Sequence, residues 1–169
     1  MVQMSLSLTL GRQCWPLTQN ALDFVVRAAR SSRERRPNML VEIQNGDVAL
    51  KSVLILEDEA LVSIMMEDIA RDLGVENVHV FADAAAAKEL AKTAELDCAV
   101  LDVIVRDGNS TEVADVLMLR GIPFGFSTGS GLDALPERHH HLPMLPKPFA
   151  DDDLRLLLLD MVAAKRAAA

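Results

Sequence analysis

Charged side chains follow three apolar runs of this 169-residue chain. They are Glu57 and Asp58 after the first run, Asp102 after the second and Lys147 after the third. Clustered carboxylates repel one another unless a cation lies among them, and Mg²⁺ prefers oxygen ligands from one or two carboxylates and a phosphate or phosphoryl group. If the runs end at one place, the residues predict a Mg²⁺ site, with Lys147 placed to meet the negative charge of a phosphoryl group.

The elements that must bring these residues together are strands of a parallel sheet. From Ser52 onward, apolar runs of strand length alternate with stretches of helical periodicity, which is typical of βα units. The predicted strands are 52–57, 78–81, 97–102, 122–127 and 142–146. The predicted helices are 60–72, 84–94, 111–120 and 151–165. A further helix within 129–141 is expected to be short or replaced by a loop. Parallel strands end at the same edge of an open sheet, so the charged residues are expected to converge there.

Local patterns give further expectations for the helices. The first helix is predicted to bury a stripe formed by Leu61, Ile64, Met65, Ile69 and Leu73. Asp83 and Ser110 are predicted N-caps of the next two helices. The run 156–159 is assigned to the buried face of the last helix, and the aspartates 151–153 to its N-terminus. The histidines 139–141 are assigned to a solvated loop, because adjacent side chains cannot all face one ion.

Residues 1–51 are predicted to form an N-terminal extension, and residues 52–169 the main domain. Within the extension, 20–36 has the spacing of an amphipathic helix, and 40–50 has the pattern of a hairpin around an Asn-Gly turn. The first twenty residues lack such periodicity, which is typical of a mobile segment.

Charge and composition exclude several function classes. Residues 1–51 carry 7 Lys and Arg against 4 Asp and Glu, whereas residues 52–169 carry 10 against 21. An acidic body argues against nucleic-acid binding, which needs cations that neutralise phosphates. The chain has no run of 18 apolar residues and no secretory signal, so no membrane insertion and a cytoplasmic location are expected. Cys14 and Cys98 lack metal-binding spacing, which fits a reducing compartment.

Four segments, in order along the chain, resemble the receiver (CheY-like) domain of bacterial two-component response regulators. They are Val53–Glu59, Leu101–Val103, Phe126–Gly129 and Lys147–Phe149. The resemblance covers about 52–165 and implies a flavodoxin-like, doubly wound sheet of five parallel strands in the order 2-1-3-4-5. The third segment is also a partial match to a proteobacterial subgroup of stand-alone receivers with a Phe-Ala-Thr-Gly signature.

The resemblance implies a phosphorylation site. Asp102 would accept a phosphoryl group from a histidine kinase or a phosphotransfer protein and form an acyl phosphate. Glu57 and Asp58 would hold Mg²⁺ together with Asp102 and the main-chain carbonyl of Ile104, and the ion would offset the charge of the phosphoryl oxygens.

The resemblance also assigns residues around the phosphoryl group. Thr128 and Lys147 would each contact a phosphoryl oxygen, and the bond between Lys147 and the following proline is expected to be cis. Ile104 and Ser130 would flank the path of the attacking water. Neither is suited to orient it, so slow self-dephosphorylation is expected. Met144 stands where many receivers have an aromatic switch residue, which favours a signal carried by loop movement around 128–142.

The resemblance therefore implies a regulator, not a turnover enzyme, that signals by contact with a downstream protein. Residues 1–51 and the end of the chain show no convincing DNA-binding module. A phosphate sink and a phosphorelay intermediate stay open as alternatives, and so does a homodimer. A non-phosphorylated interaction module is less favoured because the acidic, Thr and Lys residues are all present. An aspartyl-phosphate phosphohydrolase of the haloacid dehalogenase type is also less favoured. Such an enzyme needs a second Asp two residues after the first, and this chain has Ile104 there.

Overall fold

A computed structural model describes residues 50–129 and 134–167 of the chain. The strands are β1 (Ser52–Leu56), β2 (Asn77–Phe81), β3 (Cys98–Asp102), β4 (Ile104–Val105), β5 (Gly108–Asn109), β6 (Phe124–Thr128) and β7 (Met144–Pro146). The helices are α1 (Ala60–Asp72), α2 (Ala84–Thr93), α3 (Thr111–Leu119) and α4 (Asp151–Ala167). A 3₁₀ turn spans Glu137–His139.

The main sheet has five parallel strands in the order β2-β1-β3-β6-β7. This order is the predicted 2-1-3-4-5 arrangement once the small antiparallel hairpin of β4 and β5 is set aside. The sequence analysis did not predict that hairpin. The flavodoxin-like fold is therefore confirmed, and the observed strands lie within two residues of the predicted boundaries.

Helices cover both faces of the sheet, so its central strands are buried on both sides. In β1, Val53 and Ile55 pack into a core with α1 and α4, whereas Leu54 and Leu56 pack into a second core with α2 and α3. All residues of β1 are buried. This explains why the strand is an uninterrupted apolar run rather than an alternating one.

The buried face of α1 differs from the predicted stripe. Met66, Ile69 and Ala70 are buried, whereas Leu61 is 78% exposed and Ile64 is 56% exposed. The first half of the helix carries apolar residues around most of its circumference. Helical spacing therefore could not specify which of them faces the sheet, and the packing against β1 and β2 decides it.

Only one of the two predicted N-caps acts through its side chain. Asp83 Oδ1 accepts a hydrogen bond from Ala86 N at 2.8 Å, as predicted. Ser110 occupies the N-cap position of α3 but makes no capping bond, and its hydroxyl is fully buried. Asn109 Oδ1 accepts from Thr111 N at 3.0 Å instead. The hairpin places Ser110 inward, so its geometry overrides the local preference.

The histidine prediction is wrong for one of the three residues. His139 is fully buried, whereas His140 and His141 are exposed. The ring of His139 packs against Phe124 and Phe126, because the 3₁₀ turn directs it onto β6. Among the other local expectations, Leu157 and Leu158 of α4 are buried and the aspartates 151–153 form its first turn, as predicted.

Several predictions concern residues outside the described ranges. These include the helix over 20–36, nearly all of the hairpin over 40–50, and Ser130. Leu50 is described and is buried in the core beside α1 and α4. No helix within 50–129 and 134–167 is long and apolar enough to cross a membrane.

Candidate functional site

The carboxyl edge of the sheet gathers the residues that the sequence analysis singled out. Glu57 and Asp58 directly follow β1, and Asp102 is the last residue of β3. One carboxylate oxygen from each of the three lies within 4.8 Å of the others. Lys147 directly follows β7, and its main-chain N donates to Thr128 O at the end of β6, with N and O 2.8 Å apart.

Lys147 joins two of the carboxylates. Its Nζ is 2.6 Å from Glu57 Oε2 and 2.6 Å from Asp102 Oδ2. The remaining carboxylate oxygens are held by the main chain: Glu57 Oε1 accepts from Glu59 N at 3.1 Å, and Asp102 Oδ1 accepts from Ile104 N at 3.2 Å. Both oxygens of each carboxylate are therefore hydrogen-bonded, which fixes the orientations of the two side chains.

Burial and hydrogen bonding shift the pKa values of the charged groups in this cluster. Glu57 is only 2% exposed, and burial raises the pKa of its carboxyl, although the hydrogen bond from Lys147 opposes this shift. Burial lowers the pKa of Lys147, but the hydrogen bonds to Asp102 and Glu57 outweigh it, so the pKa of the ammonium is raised. Lys147 is therefore a firmly held cation between two acidic groups.

The donor set fits a hard divalent cation. Three carboxylates lie together, two of them bonded to the Lys147 ammonium, and Asp58 is half-buried, so it is accessible to an ion. Mg²⁺ takes oxygen ligands, commonly one or two carboxylates with waters and phosphate oxygens, and this cluster supplies carboxylate oxygens of that kind. Asp102 can also act as an oxygen nucleophile, since it ends β3 at the carboxyl edge of the sheet and its side chain is 12% exposed.

The remaining predicted residues lie around this cluster. Thr128 is buried at the end of β6, next to β7, and the Lys147-Pro148 bond is cis, as expected. Ile104 is the first residue of the β4–β5 hairpin, and its side chain is 53% exposed. The chemical roles of these residues stay predictions.

The sequence analysis missed Asp107, which lies in the turn of the hairpin. Its carboxylate accepts hydrogen bonds from Ala84 N and Ala85 N at the start of α2, at 2.8 and 3.1 Å. The dipeptide Asp107-Gly108 is a turn signal that could have revealed the hairpin. It could not have shown that Asp107 contacts a helix that begins more than twenty residues earlier.

Comparisons with known proteins give matches among solved structures. Protein-family models give no match, and neither do the curated proteins. SdrG from Sphingomonas melonis Fr1 is 37% identical with a TM-score of 0.59, and the alignment covers 70% of this chain and 98% of SdrG. The BeF₃-activated conformation of SdrG from Pseudomonas melonis Fr1 is 36% identical with a TM-score of 0.57, over 68% of this chain and 98% of that one.

A third similar structure contains a metal ion. It is the receiver domain of the sensor histidine kinase PA1611 from Pseudomonas aeruginosa PAO1, with magnesium coordinated in its active-site cleft. Its sequence is 21% identical, with a TM-score of 0.59 over 68% of this chain and 99% of that one, so the likeness concerns the fold alone. The identity and coverage of SdrG carry more weight. With its strand order and its acidic edge, this chain belongs to the CheY-like receiver domains of two-component response regulators.

Proposed function

We propose that this receiver accepts a phosphoryl group on Asp102 and transmits the resulting change by contact with another protein. The observation that carries this proposal is the arrangement of Asp102 between Lys147, at 2.6 Å, and a set of carboxylates with ligand atoms within 4.8 Å of one another. In this proposal, Asp102 acts as the nucleophile and its neighbouring carboxylates hold a cation.

The donor is proposed to be a phosphohistidine of a histidine kinase or a histidine phosphotransfer protein. An oxygen of Asp102 attacks phosphorus, the P–N bond breaks, and the imidazole leaves with the electron pair of that bond. The product on Asp102 is an acyl phosphate. Since receiver domains are signalling modules, this step occurs once per signal and is not turnover of a substrate.

Glu57 and Asp58 are the proposed protein ligands of Mg²⁺, with Asp102 and the carbonyl of Ile104. When bound, the ion supplies positive charge to the phosphoryl oxygens. Lys147 already contacts Asp102 Oδ2, so its ammonium is within reach of an oxygen of a group attached there. Thr128 is proposed to donate its hydroxyl to another phosphoryl oxygen. Fixed donors of this kind need little reorganisation during the transfer.

The test is labelling of the full chain by a small acyl phosphate donor in the presence of Mg²⁺, followed by intact-mass measurement. The wild type is expected to gain one acid-labile phosphoryl group, and Asp102→Asn is expected to gain none. Asp152→Asn is a matched control, because Asp152 is exposed in the first turn of α4. Undiminished labelling of Asp102→Asn would refute the assignment.

The partner is tested separately by phosphotransfer profiling against each histidine kinase and phosphotransfer protein of the source organism. One or a few donors are expected to label the wild type much faster than the rest. Absence of transfer from every one of them, with labelling by the small donor intact, would contradict the proposed donor class.

A further inference from the structure

The hairpin that follows the phosphoacceptor is fastened to α2 at its tip. Both carboxylate oxygens of Asp107 accept main-chain hydrogen bonds, from Ala84 and Ala85. The next N–H of the helix, that of Ala86, is taken by Asp83. The first N–H groups of a helix have no partner within it. Two aspartates therefore cap α2 side by side, one from the preceding residue and one from a distant turn.

The base of the hairpin is fastened to the site. Ile104 N donates to Asp102 Oδ1 at 3.2 Å, and Val103 N donates to Ser127 O at 3.2 Å. Ser110 N closes the hairpin by donating to Val103 O at 3.2 Å. The main chain of Ile104 thus contacts the proposed nucleophile directly.

The hairpin is too small to hold itself in place. Each strand has two residues, paired as Ile104 with Asn109 and Val105 with Gly108. An isolated two-stranded hairpin is marginally stable in water even when longer. Buried Val105 anchors one side of it. The salt bridge between Lys88 and Glu112 also links α2 to α3, but Glu112 is exposed and such pairs contribute little.

We propose that Asp107 is a positioning residue for the phosphoacceptor: by capping α2 it holds the hairpin, and the hairpin holds the main chain of Ile104 against Asp102. The inference rests on the proposed function of Asp102. It adds a residue that contacts neither the phosphoryl group nor the ion.

The consequence is a mechanical link between the start of α2 and the phosphorylation site. Ile104 contributes its N–H to Asp102 and is the proposed source of a main-chain Mg²⁺ ligand. Sites of this kind need their groups held within about 0.5 Å of the working geometry. Release of the hairpin tip would therefore disturb the ion and the nucleophile together.

The test compares two variants of the full chain that each remove one cap of the same helix. Asp107→Ala releases the hairpin, whereas Asp83→Ala removes a cap and leaves the hairpin attached. Both are expected to lower helix stability. Only Asp107→Ala is expected to weaken Mg²⁺ binding, by about tenfold, which is at the lower end of the 10–100-fold effects of outer-shell partners. Asp83→Ala should stay within about twofold of the wild type. Asp107→Asn, which keeps one acceptor oxygen, should lie between.

Equal Mg²⁺ affinities of Asp107→Ala and Asp83→Ala, measured where both proteins are folded, would overturn the inference. If Asp107→Ala does not fold, Asp107→Asn takes its place, and an affinity equal to that of Asp83→Ala would be equally contrary. Amide hydrogen exchange separates the inference from the proposed function. Faster exchange at Ile104 in the Asp107 variant than in the Asp83 variant supports the positioning role even if the wild type accepts no phosphoryl group. Equal exchange at Ile104 would overturn it.

Discussion

Two connections leave the site on neighbouring strands, and they are held by different kinds of interaction. The connection after β3, residues 103–110, is a hairpin fixed by main-chain hydrogen bonds and by the cap from Asp107. The connection after β6 is described over 134–143, where its regular structure is the short 3₁₀ turn at Glu137–His139. Side chains, rather than main-chain pairing, attach this second connection to α3.

The side chains of the second connection meet at Asp115 of α3. Arg138 donates to both of its carboxylate oxygens, at 3.1 and 2.9 Å. His139 Nε2 lies 3.2 Å from Asp115 Oδ1, at an angle outside ordinary hydrogen-bond geometry. The hydrogen bond from Arg138 lowers the pKa of Asp115, and burial lowers the pKa of His139.

The two connections therefore differ in how they respond to a change of pH. Main-chain hydrogen bonds in the first connection do not titrate near neutral pH, so the geometry around Asp102 does not depend on a protonation change there. In the second connection, the main-chain bond from Phe126 N to Pro143 O does not titrate either, but the contact of the buried His139 imidazole with Asp115 can. We therefore expect the second connection to loosen before the first as the pH falls.

The largest effect is expected from truncating the buried histidine of the second connection. His139→Ala removes a fully buried ring that packs against Phe124 and Phe126. Large-to-small substitutions in a core cost about 2–5 kcal/mol. We expect a loss of that order in the free energy of unfolding, measured by urea denaturation. His141→Ala is the control, because His141 is exposed. Equal losses for the two variants would show that the turn is not anchored by its histidine.

Magnesium is expected to stabilise the folded protein, and its proposed ligand Ile104 lies in the first connection. At 100 times its Kd, a ligand of the folded state raises the free energy of unfolding by about 2.7 kcal/mol. Thermal unfolding with and without the ion measures this gain. Asp58→Ala should lose most of it, and Asp152→Ala should keep it. Hydrogen exchange should slow in the hairpin more than in residues 134–143. Slowing confined to residues 134–143 would reverse the comparison.

The lifetime of the acyl phosphate should depend on the side chain at the start of the hairpin. Ile104 cannot orient water, and a positioned polar group contributes roughly 10²–10⁴ to hydrolytic rates. We expect Ile104→Asn to recover part of this range and to speed decay roughly tenfold. Decay of the labelled protein is followed by intact mass. Ile64→Asn is the control, an exposed isoleucine of α1. An unchanged or slower decay in Ile104→Asn would contradict the assignment.

The smallest effect is expected from pH. Burial lowers the pKa of His139 from its ordinary 6.5, so the unfolded chain binds a proton more readily than the folded one. The stability contributed by neutral His139 is present above about pH 6.5 and is lost as the pH falls toward the folded pKa. Asp115 favours the charged imidazole, while Arg138 and His141 oppose it.

Urea denaturation between pH 7.5 and 5.5 should therefore show a decline that is smaller in His139→Phe. The cap of the first connection should not contribute to this decline. Hydrogen bonds from Ala84 and Ala85 lower the pKa of Asp107 from 3.8, so its contribution is lost only in more acidic solution. An identical pH dependence in the wild type and His139→Phe would show that another group titrates.

Much of the fold and of the site could be predicted from the sequence. The strand order and the convergence of Glu57, Asp58, Asp102 and Lys147 at one edge are found as expected. Periodicity separates helix from strand, and parallel strands must end at a common edge, so residues that follow them meet. These features depend on local pattern and on one topological rule.

Contacts between a side chain and an element far away in the sequence could not be predicted and are set by tertiary packing. Asp107 caps a helix that begins at Ala84, His139 is buried on β6, and Ser110 turns inward without capping. Local preference assigns an aspartate, a histidine or a serine to turns, loops and caps alike. The partner of each residue is set by the packing of elements far apart in the chain. The spacing of residues in the sequence does not show which elements pack together.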